Sequence, residues 1–330
     1  MSEDAEIDAV VIWVDGNDPA HRAKLDRYLT SLGHRPVSAA PTRFGSVGEI
    51  DYCVVSLLRF APFFRRVHIV TDAQRPAVLD AANTWPAAWR ERLVLVDHRD
   101  IFAGQERHLP TFCSRSIETM VHRVPGLAEH FVHFNDDVML IKPVGPEAFF
   151  VDGKPLLRGR FVPMPETRWT RRLRSWWRQM RPPRPGAVRP GALDAQALAA
   201  RTVGFADRFF AVGHNPHPLR RSTFERYFAA HPDVMERNIS FRLRDPAQFT
   251  PTSLANHLEL QSGTAITAPD DRLVYVKPAS QRDALRRLRA AEAQPTKIFT
   301  CIQSLDQADE RRQRDVLAWL DRVIGRTPVA

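Results

Sequence analysis

The sequence predicts an α/β fold: a mostly parallel sheet with helices on both faces, followed by a helical carboxy-terminal part. Three observations predict it. Short apolar, β-branched runs alternate with helical stretches through the first half of the chain, as strands joined by crossover helices do. Four of these runs end in an acid, at Asp15, Asp72, Asp97 and Asp136. In a parallel sheet such ends share one edge, so their polar groups gather in one crevice, where open α/β sheets bind ligands. Beyond about residue 201 the pattern turns mainly helical.

The elements follow in order. Ile7–Val14 is an apolar strand ending at Asp15-Gly16, and Pro19–Leu32 interleaves polar and apolar residues as a helix does. Glu49–Phe60 is an amphipathic helix closed by Ala61-Pro62. Val67–Thr71 and Leu93–Val96 are strands, with a short helix at Pro76–Ala82 between them. Ser114–Arg123 is a helix that precedes the strand Phe131–Phe134. Further helices are expected at Ser222–Ala230, Pro251–Leu260, Ala284–Ala293 and Asp309–Ile324. This organisation divides the chain into an α/β core over residues 1–156, an insertion over 157–201 and a mainly helical part over 202–330 that completes the site.

Composition bounds the possibilities. A chain of 330 residues with 44% hydrophobic and 26% charged residues can bury one sizeable core or two. No apolar leader and no run of 18 apolar residues is present, so neither a secretory signal nor a membrane span is expected. Cys53, Cys113 and Cys301 are odd in number and far apart, which suits a reducing cytoplasm. A formal charge of +9 points to an anionic partner without choosing it. Between Arg168 and Arg189 stand eight arginines, three tryptophans and no acid. Such a segment is either a solvated insertion or a basic element for an anionic membrane surface or a charged glycan. No nucleic-acid module accompanies it, so nucleic acid is not expected as a partner.

The sharpest local signal is Phe131-Val-His-Phe134 running into Asn135-Asp136-Asp137. Adjacent carboxylates at the end of an apolar strand suit a hard cation, Mg²⁺ or Mn²⁺, beside a phosphate-bearing ligand. A plain turn is the alternative, because Asn and Asp favour turns. His214 and His217 fall in a Pro-interrupted loop, where either could serve as a general base or simply satisfy backbone groups. Arg242 and Arg244 could clamp phosphate oxygens through paired hydrogen bonds. Asp15-Gly16 reads as a nucleotide-edge turn in which glycine lets backbone approach a ligand. There is no GxGxxG, no P-loop and no GxSxG elbow.

Four blocks resemble the Stealth family. Ile7-Asp-Ala-Val-Val-Ile-Trp-Val-Asp-Gly-Asn-Asp-Pro19 is similar to its first block, and Phe63–Pro76, with His68-Ile-Val-Thr-Asp-Ala-Gln74, to its second. His108-Leu-Pro-Thr-Phe-Cys-Ser114 through Glu118, His122-Arg123 and Asn135-Asp136-Asp137 resembles the third; Gly213–Pro218 with Arg242 and Gln248-Phe249 resembles the fourth. That family comprises bacterial capsule and exopolysaccharide hexose-1-phosphate transferases, and includes the animal enzyme that adds GlcNAc-1-phosphate to lysosomal glycoproteins.

The resemblance implies a nucleotide-sugar-binding sheet of Rossmann or GT-A type. It implies an enzyme that moves a sugar 1-phosphate from a UDP-sugar donor to a polysaccharide or glycan acceptor and releases UMP. It further implies a divalent cation at Asp136 and Asp137, His214 as base with His217 as alternative, and Arg242 on the diphosphate. Trp13, Asp15 and Gly16 would line the uridine site, with Gln74, Ser114 and Glu118 in donor-lining blocks. The chain departs from the family at Glu49-Ile-Asp-Tyr-Cys-Val-Val-Ser56, where two arginines common in the family are missing, and at Cys113, where serine or asparagine is common. Two other readings stand beside this one. A GT-A glycosyltransferase would use the same acids but attack the anomeric carbon and release UDP. A binding protein would hold a nucleotide-sugar or anionic glycan without turnover.

Overall fold

The computed structural model describes residues 6–40, 44–167 and 191–328. Strand β1 (Ile7–Ile12) pairs in parallel with β2 (Phe64–Thr71) on one side and β4 (His130–Asn135) on the other. Strand β3 (Leu93–Asp97) joins β2 in parallel, and β9 (His217–Arg220) closes the far edge antiparallel to β4. The order is β3-β2-β1-β4-β9. The chain therefore steps outward from β1 to β3, then returns to the other side of β1 for β4. That reversal opens a crevice above the carboxyl ends of β1 and β4.

Alternation along β1 explains why both faces are covered. Ile7, Ala9 and Val11 pack with residues from the helices Glu49–Phe60, Ala284–Glu292 and Glu310–Val323. Val10, with Val70, Val96 and Phe131, packs on the other face against the helices Ser114–Met120, Arg221–Ala230 and Pro251–Gln261. Each fully covered aromatic such as Phe131 contributes about 2–3 kcal/mol of burial.

Two smaller sheets flank the first. Strand β5 (Val138–Leu140) leaves the acid turn and pairs antiparallel with β12 (Phe299–Ile302), which lies parallel to β11 (Leu273–Val276). Strand β7 (Lys154–Pro163) pairs with β6 (Phe150–Val151), β8 (Arg208–Val212) and β10 (Ile266–Ala268).

The expected helices of the first half are present. Pro19–Leu32 starts where Asp18 accepts a 2.7 Å hydrogen bond from the His21 amide, with Pro19 leading, and stops at Gly33 with φ 70°. Differences lie at the ends of elements. The first strand stops at Ile12 instead of Val14, although the Trp13 amide still donates to the Val70 carbonyl at 3.0 Å. Ser114–Arg123 is α-helical only to Met120 and finishes as a 3₁₀ turn. His217, expected in a loop, opens β9 instead. Pro218 is tolerated there because β9 is an edge strand. The part beyond residue 201 carries β8–β12 among its helices. The basic stretch Arg168–Arg189 lies outside the described residues, between β7 and the helix Ala192–Thr202. No helix among the described residues is long and apolar enough to cross a membrane.

Candidate active site

A cavity of about 500 Å³ opens at the crevice. Residues just past four parallel strands line it: Trp13 after β1, Asp72 after β2, His98 after β3 and Asp136 and Asp137 after β4. The opposite wall comes from the carboxy-terminal half, through His214, Arg244, Lys277 and Asp306. The common edge inferred from the four strand ends is thus present: Ile12 is level with Val70 and Asn135, and Thr71 with Asp97.

Asp136 and Asp137 are partly open to the cavity and otherwise surrounded by protein. Removal from bulk water and mutual repulsion push the Asp136 carboxyl well above the usual carboxylate range, with Glu49 adding to the repulsion. Asp137 is also raised by burial, offset by the nearby His214 and by a hydrogen bond from the Cys301 thiol at 3.6 Å. Glu49, buried at the start of its helix, is raised by burial while accepting the Val47 amide at 2.7 Å. Among the described residues none of these three acids has an ion-pair partner. Nor does any group of three His, Cys, Asp or Glu side chains converge there as a metal cage.

His214 is exposed to the cavity from the loop between β8 and β9. Its ring stacks on Tyr275 with centroids 5.1 Å apart, and the neighbouring Asn215 fixes the loop by donating to Asp270 at 2.8 Å. His217 is placed differently. Its ring stacks on His133 within the sheet at 6.4 Å, and burial together with the His214 charge lowers it to about 4.

The two arginines also separate. Arg242 donates to the carbonyls of Arg107 and Pro110 and lies over the Tyr28 ring, away from the cavity wall. Arg244 is on the wall and donates to the Ser114 hydroxyl at 2.6 Å. Ser114 faces the cavity, and Glu118 lies buried behind it, raised by burial but held down by Arg244, Arg115 and Ser114.

Around β1, Trp13 lines the cavity. Asp15 caps its own turn by accepting the Asn17 amide at 2.8 Å. Gln74 clamps the same turn: its side-chain oxygen accepts the Asp15 amide at 2.9 Å and its amide donates to the Asp15 carbonyl at 2.8 Å. Gly16 was expected to admit a ligand. The close approach it permits is instead to Phe44, whose backbone oxygen would lie 2.5 Å from an added Cβ. The positions of the two missing family arginines face elsewhere: Asp51 accepts the Val78 amide at 3.0 Å, and Val55 is in the core. Lys277, Gln303 and Asp306 were not anticipated. They come from short segments beside β11 and β12 with no motif, and only the pairing of β12 with β5 brings them to the acids.

Residues 6–33 match the family model described as Stealth protein CR1, conserved region 1, and residues 43–156 match Stealth protein CR2, conserved region 2. An exopolysaccharide phosphotransferase of Streptomyces coelicolor is 34% identical over 320 residues, covering 94% of this chain and 50% of the relative. A capsular polysaccharide phosphotransferase of Streptococcus pneumoniae is 33% identical over 272 residues, covering 78% of this chain and 79% of the relative. The chain thus spans about half the length of the first and most of the second. Among solved structures, the galactosyltransferase LgtC is loosely similar, with a TM-score of 0.42 and 10% identity over 94% of this chain and 95% of that one.

Proposed function

The chain belongs to the Stealth family, and from that premise we propose that it moves a hexose 1-phosphate from a UDP-sugar to a hydroxyl of a capsular or exopolysaccharide glycan. UMP and a phosphodiester are the products. The observation that carries the reading is the convergence of an acid pair, a histidine and an arginine on one cavity at the reversal point of the sheet.

In this reading His214, open to the cavity, accepts the proton of the acceptor hydroxyl. The hydroxyl oxygen forms a bond to the phosphorus that carries the hexose. The bond from that phosphorus to the bridging oxygen breaks, and UMP departs with the electron pair. Such a transfer asks for alignment and charge neutralisation more than for covalent help. Arg244 supplies a fork for diphosphate oxygens, with Ser114 and Glu118 orienting it. Lys277 adds a second cation on the same wall. Arg242 and Gln74 hold the surrounding loops, as do Asp15 and Gly16, while Trp13 faces the donor. His217, lowered to about 4, is a weak base and serves to seat the His214 loop.

The acids fit a divalent cation. Two adjacent carboxylates, open to the cavity and without an ion-pair partner among the described residues, leave negative charge unmatched. Mg²⁺ or Mn²⁺ is commonly held by one or two carboxylates, with water and substrate phosphates completing the set. Among the described residues no group of three His, Cys, Asp or Glu side chains gathers there, so water and substrate phosphates would complete the set. When bound by Asp136 and Asp137, the ion supplies neutralisation of the diphosphate. The three cysteines are free and buried, in keeping with a reducing compartment, and the reading sets the reaction in the cytoplasm.

The test is product analysis with a panel of UDP-sugars, Mg²⁺ and capsule-like acceptors. UMP with a phosphodiester is expected. UDP with a plain glycosidic bond would establish glycosyl transfer instead, and tight donor binding without turnover would establish a binding protein.

A further inference from the structure

A base must be aimed as well as present, and His214 is aimed in an unusual way. Its backbone is held from one side. The buried Asn215 donates to Asp270 at 2.8 Å, and Gly213 packs so close to the same carboxylate that an added Cβ would lie 2.6 Å from it. The residues on either side of His214 are thus fixed to one acid. The imidazole itself is exposed to the cavity, and no described residue hydrogen-bonds to either of its nitrogens. What limits its rotation is another ring. Tyr275 of β11 lies against it, with centroids 5.1 Å apart and planes 20° from parallel.

The Tyr275 ring is in turn fixed at both ends. Its backbone is in the ladder between β11 and β12, level with Cys301. Its hydroxyl donates to the Gln303 side-chain oxygen at 2.5 Å, and the Gln303 amide donates to the Val276 carbonyl at 3.0 Å. Cys301, beside it, reaches the Asp137 carboxylate through its thiol at 3.6 Å. The support of the histidine and a contact to the acid are therefore neighbours on one strand pair. A carboxylate or carbonyl behind a histidine is the commoner support, and it commits one ring nitrogen to holding the tautomer. A stacked ring fixes the plane of the imidazole and leaves both nitrogens uncommitted.

We propose that Tyr275, anchored by Gln303, is the positioning residue that aims the His214 imidazole at the acceptor hydroxyl. The role rests on the reading of His214 as base given above. It extends that reading to a residue outside the cavity wall, which takes no proton and touches no donor.

Steady-state release of UMP, together with proton spectra of the imidazole resonances, tests it. In Tyr275→Leu, kcat falls about ten- to hundredfold, the span from a lost aromatic stack to a misplaced reacting group. Donor KM changes by less than about twofold, because the lost interaction serves the chemical step and not donor binding. Tyr275→Phe keeps the ring and recovers kcat to within about threefold of the parent, the deficit reflecting the lost hydrogen bond to Gln303. In a His214→Ala background Tyr275→Leu brings no further loss, since a support has no effect without the group it supports. The His214 resonances, identified by their absence in His214→Ala, are shielded by the stacked ring; they move downfield in Tyr275→Leu and much less in Tyr275→Phe. Tyr275→Val serves where leucine disturbs the strand. Parental kcat in a folded Leu or Val variant, a Phe variant as slow as these, full additional loss in the His214→Ala background, or unshifted resonances would each overturn the positioning role while leaving the transfer reading intact. A parent protein that releases no UMP with any donor would remove the reading of His214 as base, and the positioning role with it.

Discussion

Asp8 and the Asp136–Asp137 pair belong to one sheet, the first at the amino end of β1 and the second just past the carboxyl end of β4. Asp8 is fully buried and fully partnered. It accepts Arg65 at 2.6 Å and 3.0 Å, the Ala128 amide at 2.8 Å, the Arg66 amide at 3.1 Å and meets His68 at 3.2 Å. Burial alone would raise its carboxyl, but the bonds from His68, Arg65 and Ala128 outweigh that and hold it well below the usual range. The pair at the other end is raised by burial and by its own repulsion. An acid that holds a fold together is surrounded by donors. The Asp136–Asp137 pair, proposed above to hold a cation, has no ion-pair partner among the described residues.

The sharpest way to break this contrast is substitution at the open end. Asp137→Asn is expected to cut sugar-phosphate transfer by about 10²–10³-fold or more, with no loss of melting temperature. Near-parental turnover, or an unfolded variant, would put Asp137 in the class of Asp8. Arg244→Ala is expected to cost about ten- to hundredfold in kcat/KM, the worth of one charged hydrogen-bonding partner. Arg242→Ala should change kcat/KM only a few-fold, and a reversed order would return the clamp to Arg242. At the closed end, Asp8→Asn leaves turnover per folded molecule unchanged but destabilises the protein. A broken buried pair costs about 3–5 kcal/mol, and the exposure of Arg65 reduces this to about 2–3 kcal/mol, measurable by denaturant unfolding.

Mg²⁺ sharpens the comparison from the other side. At a hundred times its dissociation constant it should stabilise the parent protein by about 2.7 kcal/mol, and Asp137→Asn by much less. The smallest effect is in acid. Because Asp8 is depressed in the folded state, its contribution is complete above the unfolded carboxyl value of about 3.9 and declines as pH falls below it. Unfolding of Asp8→Asn between pH 5 and 3 should accordingly show a shallower loss of stability than the parent, and parallel curves would remove Asp8 from the account.

Much of the α/β core was legible because local pattern and tertiary role agree there. β-branched runs became strands whose ends are level along one edge, although of the four acids that follow them only Asp72 and Asp136 line the cavity. Helix Pro19–Leu32 carries both its start and its stop in sequence, through Asp18-Pro19 and Gly33. The site was legible only in its motif-bearing parts. Two arginines two residues apart look alike in sequence, yet Arg244 reaches the cavity and Arg242 is spent on carbonyls. His217 escaped because an edge strand can accept the proline that normally marks a loop. Gly16 was read for a ligand, whereas the constraint is Phe44, 28 positions away. Lys277, Gln303 and Asp306 had no signal because the pairing of β12 with β5 is long-range and the segments around it are short.

That last pairing has a further consequence. The chain passes from β4 through Asp136 and Asp137 straight into β5, so the two carboxylates form the joint between two separate sheets. The Ile302 amide donates to the Asp137 carbonyl at 2.9 Å, and the Cys301 thiol reaches the Asp137 carboxylate, so the terminal strand grips that joint by backbone and side chain together. The posture of the proposed acids therefore depends on residues 299–302, which are far from them in sequence. Damage to this distant ribbon should silence the protein well before it unravels it.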